Sequence, residues 1–149
     1  MNILTSQKIL RNSLIAYWLI LPVIFFMILG IYSVQSELPY KEIITEVPSL
    51  AVAFLVCCIL LIMAFILHSI FAMKEEAKTL KSFVLFAVIQ QLITLNFIGA
   101  GISYLYYRII PKAEKTDKIK RAPLILALVI LVTVLSLLSA VLLLIQTIK

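Results

Sequence analysis

The sequence predicts an all-α integral membrane protein, a small bundle of four transmembrane helices. Three observations carry this. Of the 149 residues 64% are hydrophobic and the mean hydropathy is +1.17, whereas a soluble domain is about 45–50% apolar. Only 13% of residues are charged, against about 25% in a soluble domain. The charges are also segregated. No Asp, Glu, Lys or Arg occurs in 12–36, 47–73, 82–107 or 122–148, stretches of 25, 27, 26 and 27 residues. About 20 apolar residues cross a bilayer core as a helix, and a helix satisfies its own backbone where lipid cannot. Each stretch therefore predicts one crossing, over roughly 13–34, 48–73, 82–107 and 122–147. The alternation of a barrel strand is absent. The whole chain, 1–149, reads as a single polytopic domain with no soluble domain.

Residues 1–11 form a short basic prelude with Lys8 and Arg11, read as a short interfacial helix. The apolar run that follows exceeds the roughly 7–15 residues of a signal-peptide core, and no small-residue cleavage motif follows it, so it reads as a retained helix. Tyr17 and Trp18 near one end and Tyr32 near the other suit headgroup level, and Pro22 inside the span predicts a kink. The first loop, 35–47, is acidic, with Glu37, Glu42 and Glu46 against Lys41, and is bracketed by Pro39 and Pro48. The second loop is the charged hinge Lys74 to Lys81. The third span ends in Tyr104, Tyr106, Tyr107 and Arg108, an interfacial signature. The third loop, to Arg121, is basic, and its Glu114–Lys118 spacing allows a helical turn. Pro123 falls in the first turn of the last span, where proline is tolerated.

Lipid is as apolar as Leu, so membrane helices associate through small residues and interhelical hydrogen bonds. In the second span Ala53, Cys57, Ala64, His68 and Ala72 fall within an arc of about 100°. In the last span Thr133, Ser136, Ala140 and Thr147 share a face. Both stripes read as seams. The third span carries Asn96, Gly99, Ala100, Ser103 and Tyr107 on one side and Ala87, Gln90, Gln91, Thr94 and Gly101 on the other, which predicts a central position. Gln90, Gln91, Thr94, Asn96 and Ser103 are candidates for a polar path or for interhelical clamps. Arg108, Lys112, Lys115, Lys118, Lys120 and Arg121 are candidates for contact with anionic lipid or an acidic partner.

Sidedness is open at this level. Four plain crossings put six Lys and Arg on one side and seven on the other, so the positive-inside rule is indecisive. Basic residues before the first span and an acidic loop after it favour both termini inside. The reversed bundle, an antiparallel dimer of dual topology, and a third span broken near Asn96–Gly101 as a re-entrant hairpin are the alternatives. Abundant Lys and Ile suggest a bacterial cytoplasmic membrane.

The chemistry available is sparse. No carboxylate lies in any span, which disfavours proton-coupled transport. No metalloprotease, P-loop or serine-hydrolase motif is present. His68 is the one histidine, and Cys57 is three helical turns from it, about 16 Å by helical rise, so the two cannot share an ion. His68 reads as a seam or near-interface residue, and the adjacent Cys57 and Cys58 as small packing groups. The expectation is a non-enzymatic accessory or interaction protein of a subunit or immunity type. It has no cofactor or metal and no nucleic-acid partner, and it is embedded in lipid and bound to another membrane protein, a peptide or itself. The alternatives are a small channel or transporter with a polar path along the third span, and a haem or redox subunit using His68.

Overall fold

A computed structural model describes residues 3–72, 77–111 and 123–148. All regular structure among them is helical. The helices are α1 (Ile3–Ser36), α2 (Tyr40–Glu46), α3 (Pro48–Ala72), α4 (Ala77–Ile93), α5 (Phe97–Ile109) and α6 (Pro123–Ile148).

Three segments are long and apolar enough to cross a membrane: Ser6–Ser36, Pro48–Ala72 and Pro123–Ile145. α1 begins within the basic prelude and continues through Pro22, so the separate interfacial helix does not form. The acidic loop contains the short α2, opened by Pro39 and closed by Val47. Pro48 and Pro123 each open a helix, where a missing N–H costs nothing.

The expected continuous helix over 82–107 is not what forms. The chain breaks at Thr94–Asn96 and folds back, so that α4 and α5 make an antiparallel hairpin. Two neighbouring contacts mark its opposite ends. Gln91 meets Ser103 near the tip, and the Lys81 ammonium lies 5.0 Å from the Tyr107 ring centre near the open end. α4 has 17 residues and α5 has 13, about 25 and 20 Å by helical rise. Each is shorter than the roughly 30 Å of a bilayer core. Three helices are thus candidate crossings, and the 82–107 segment is a hairpin in place of one continuous helix.

The helices surround one apolar core in the order α1, α3, α6, α4, α5, with α5 returning to α1 and α3 also touching α4. α3 is thus the central element, not the 82–107 segment. Its Ile59, Met63, Ile66 and Leu67 are fully buried. Leu14 and Trp18 of α1, Val84 and Ala87 of α4, Tyr106 of α5 and Val132 of α6 complete this core.

The start of α1 meets the end of α5, where Gln7 Nε2 donates to the Ile109 carbonyl at 2.7 Å. The Arg11 guanidinium lies 4.4 Å from the ring centre of Phe71, at the end of α3. Ile125, near the start of α6, lines a hollow with Thr79, near the start of α4. One end of the bundle therefore gathers Lys8, Arg11, Lys78, Lys81 and Arg108, while α2 and the end of α6 lie at the other. The described parts of the two termini sit at opposite ends of the bundle.

Candidate functional site

The polar groups of the hairpin converge at its tip. α4 ends in a Schellman-type turn: the Asn96 N–H donates to the Gln91 carbonyl at 2.8 Å and the Leu95 N–H to the Leu92 carbonyl at 3.1 Å. The motif places Leu95 in the left-handed region, at φ 57°, where glycine is the usual occupant. The Thr94 hydroxyl adds bonds to the carbonyls of Gln90 (3.2 Å) and Gln91 (3.3 Å). Asn96 then caps α5, its Oδ1 accepting from the Gly99 N–H at 3.2 Å. An Asn cap satisfies one of the donors that a helix start leaves open.

The same Oδ1 accepts from the Tyr17 hydroxyl at 2.5 Å. Tyr17 thus ties the tip to α1. Trp18 is fully buried, because α3 and α5 both pack on α1. Behind the cap, Gln91 Nε2 donates to the Ser103 hydroxyl at 3.0 Å. Gly99 makes this approach possible. A methyl group there would overlap Gln91 Oε1 and come within 2.8 Å of Tyr17 Cε1, whereas one at Gly101 meets nothing within 4 Å.

The cluster is not fully satisfied. Both amide atoms of Gln90, Gln91 Oε1, Asn96 Nδ2 and Trp18 Nε1 are buried without a hydrogen-bond partner. Buried amides left unpaired cost free energy in an apolar medium, so the cluster retains unused capacity for a polar ligand or water. Outside it the tip is apolar: Leu95, Phe97 and Ile98 are 63%, 67% and 69% exposed.

Of the five sequence-identified polar residues, Gln91 and Ser103 bond to each other across the hairpin and Asn96 bonds to α1, while Thr94 bonds only to carbonyls at the end of its own helix and the Gln90 amide has no partner. A continuous polar stripe along a single third helix does not arise, since folding back superimposes what a straight helix would spread over both its sides.

The second-span seam divides. Cys57 and Ala64 are buried and Ala53 is half-buried, but His68 and Ala72 are exposed. The reason is angular. At about 100° per residue, Phe54, Leu61, Phe65, His68 and Ala72 form one narrow outer strip. The arc that joined His68 to Cys57 straddles the boundary between packed and bare surface.

On α6, Ser136 is buried and Ala140 half-buried, while Thr133 is exposed. The side chain of Thr147 lies outside the described residues. The seam includes the fully buried Ser139, which the sequence analysis missed although it lies seven residues from Val132 on the same face. The hydroxyls of Ser136 and Ser139 bond to carbonyls of their own helix, at 2.7 Å to Val132 and 2.9 Å to Leu135, so both act as small packing groups.

Arg108 is exposed at the basic end. Lys112, Lys115, Lys118, Lys120 and Arg121, and the suggested Glu114–Lys118 turn, lie outside the described residues. Among the described residues no three of His, Cys, Asp or Glu come together as metal ligands do.

The sequence carried a signal for the break in Asn96, a residue type favoured at helix N-caps. Tyr17 carried none, because its role depends on where the tip lands. Comparison with protein-family models, with characterised proteins and with solved structures finds no match for this chain.

Proposed function

We propose that this is a non-enzymatic membrane accessory or interaction protein with three crossings and one re-entrant hairpin. In this reading it binds another membrane protein, a peptide or a second copy of itself inside the bilayer, as a subunit or immunity-type protein does. The observation that carries the reading is the hairpin's depth. Its tip meets α1 at Tyr17, 19 residues short of Ser36, which is about 28 Å of helix. Above the tip, on the same face of α1 as Tyr17, Ile24, Ile28 and Ile31 are 45–59% exposed. The bundle is thus thick at its basic end and thin at its acidic end, with the apolar tip forming the floor of a notch. A notch walled by α1 suits a partner helix better than it suits chemistry.

The charge distribution supports a re-entrant hairpin. With the N-terminal segment and both connections of the hairpin on one side, that side holds eleven of the chain's thirteen Lys and Arg. The positive-inside rule then assigns it to the cytoplasm, with the C-terminus outside and a bacterial cytoplasmic membrane as the setting. Non-helical backbone at membrane depth needs its polar groups satisfied by protein, and the turn at Thr94–Asn96 has the caps to do this.

The test is a photo-crosslinking residue at Ile28 and at Phe97, with Phe65 on the outer strip of α3 as control, in native membranes. Discrete protein adducts at the first two positions and none at Phe65 are expected. Lipid adducts alone at all three would refute intramembrane partnership.

A second reading, a small channel or transporter, is supported by the unpartnered amide atoms of Gln90, Gln91 and Asn96. It expects solute flux in liposomes that Gln91→Leu abolishes while the protein still inserts. Equal flux from the wild type and the variant would dismiss it.

A further inference from the structure

We propose that the groove between α4 and α6 at the basic end is a binding site for one anionic phospholipid. The groove encloses about 170 Å³ and is lined by Thr79, Ser82, Phe83, Phe86, Ile125, Leu126 and Val129. A second hollow of about 210 Å³ adjoins it through Ser82 and adds Lys78, Lys81 and Tyr107. Among the described residues neither lining includes an acidic one.

Thr79 is only 7% exposed, yet its hydroxyl has no hydrogen-bond partner. Thr79 is the third residue of α4, so no carbonyl of that helix lies one turn back for its hydroxyl to bond. Its side chain lines the groove.

The depth is right for a headgroup. Lys78 and Lys81 lie in the first turns of α4, at the end where α1 begins and α5 ends. A phosphodiester placed there accepts from the Thr79 and Ser82 hydroxyls and from the two ammonium groups, of which the Lys81 ammonium lies over the ring of Tyr107. One acyl chain then follows Phe83, Phe86 and Val129 toward the bilayer centre. Basic pockets between membrane helices bind anionic headgroups on this principle.

The inference rests on the placement of the basic end at a membrane surface but not on a partner in the notch, so crosslinking and lipid binding fail separately. The experiment is native mass spectrometry of the full chain in detergent, with phosphatidylglycerol and phosphatidylcholine of identical chains in equal amount. The expected result is one retained lipid, with phosphatidylglycerol preferred by about tenfold. Lys78→Gln with Lys81→Gln abolishes the preference, Thr79→Val, close in shape, weakens it, and Val129→Trp, which fills the groove, prevents retention of either lipid. Lys8→Gln with Arg11→Gln, outside the groove, leaves the preference intact, and excess inorganic phosphate does not displace the lipid. Equal retention of the two lipids overturns the proposal, as does a preference that survives the double lysine variant or disappears with Lys8 and Arg11. Displacement by inorganic phosphate would mean an anion site with no lipid specificity, which also overturns it.

Discussion

Gln91 and Ser103 are twelve positions apart and share a hydrogen bond of 3.0 Å. In a straight helix they would be about 18 Å apart, so this one bond states the fold of the 77–109 segment. It also depends on a third residue: Gly99 leaves the space into which the Gln91 amide reaches.

The glycine pair offers the cleanest test. Gly99→Ala forces the Gln91 amide and the Tyr17 ring to move and should destabilise the protein by about 1–3 kcal/mol, the usual cost of overpacking. Gly101→Ala enters open space and should be neutral or stabilising by up to about 1 kcal/mol, from helix propensity. Unfolding in mixed detergent micelles, followed by circular dichroism, measures both. Equal effects would mean that the hairpin is not closed at Gly99.

At Leu95 the backbone and the side chain disagree. Its φ of 57° suits glycine, and its side chain is mostly exposed, so little packing is lost by removing it. Leu95→Gly should stabilise the turn by about 1 kcal/mol, and Leu95→Val should destabilise it, since branching at Cβ makes this conformation worse. The same unfolding measurement ranks the three proteins. A ranking of valine above glycine would be incompatible with this turn.

Asn96 joins α1 to the hairpin through one oxygen that serves two donors. Tyr17→Phe should cost about 0.6 kcal/mol, the average for an interhelical hydrogen bond in a membrane protein. Asn96→Ala should cost about 1–2 kcal/mol, because the cap is lost as well. In the double variant the Tyr17 substitution should add almost nothing. Full additivity would show that the two side chains do not meet.

Sidedness can be read by cysteine labelling in a Cys57→Ser, Cys58→Ser background with an impermeant maleimide. With three crossings, Lys8→Cys and Lys115→Cys should react only after lysis, and Glu42→Cys and Lys149→Cys in intact cells. Leu95→Cys should stay unreactive in both. Labelling of Lys115→Cys in intact cells would restore a fourth crossing and remove the hairpin from the membrane.

Membrane residence was legible in the sequence because moving a charge into hydrocarbon is costly, and that cost leaves long uncharged gaps. The first, second and last gaps each became one helix apolar enough to cross. The gap over 82–107 looks the same on that measure, since transfer free energy is summed residue by residue and is blind to direction. Whether those residues cross or turn back was decided by contacts between positions remote in the chain: the Tyr17 hydroxyl on Asn96, the Gln91 amide on Ser103, and the space left at Gly99. The exposure of His68 was decided in the same way. Periodicity assigns a residue an angle on its helix, and only the neighbouring helices determine which angles are covered.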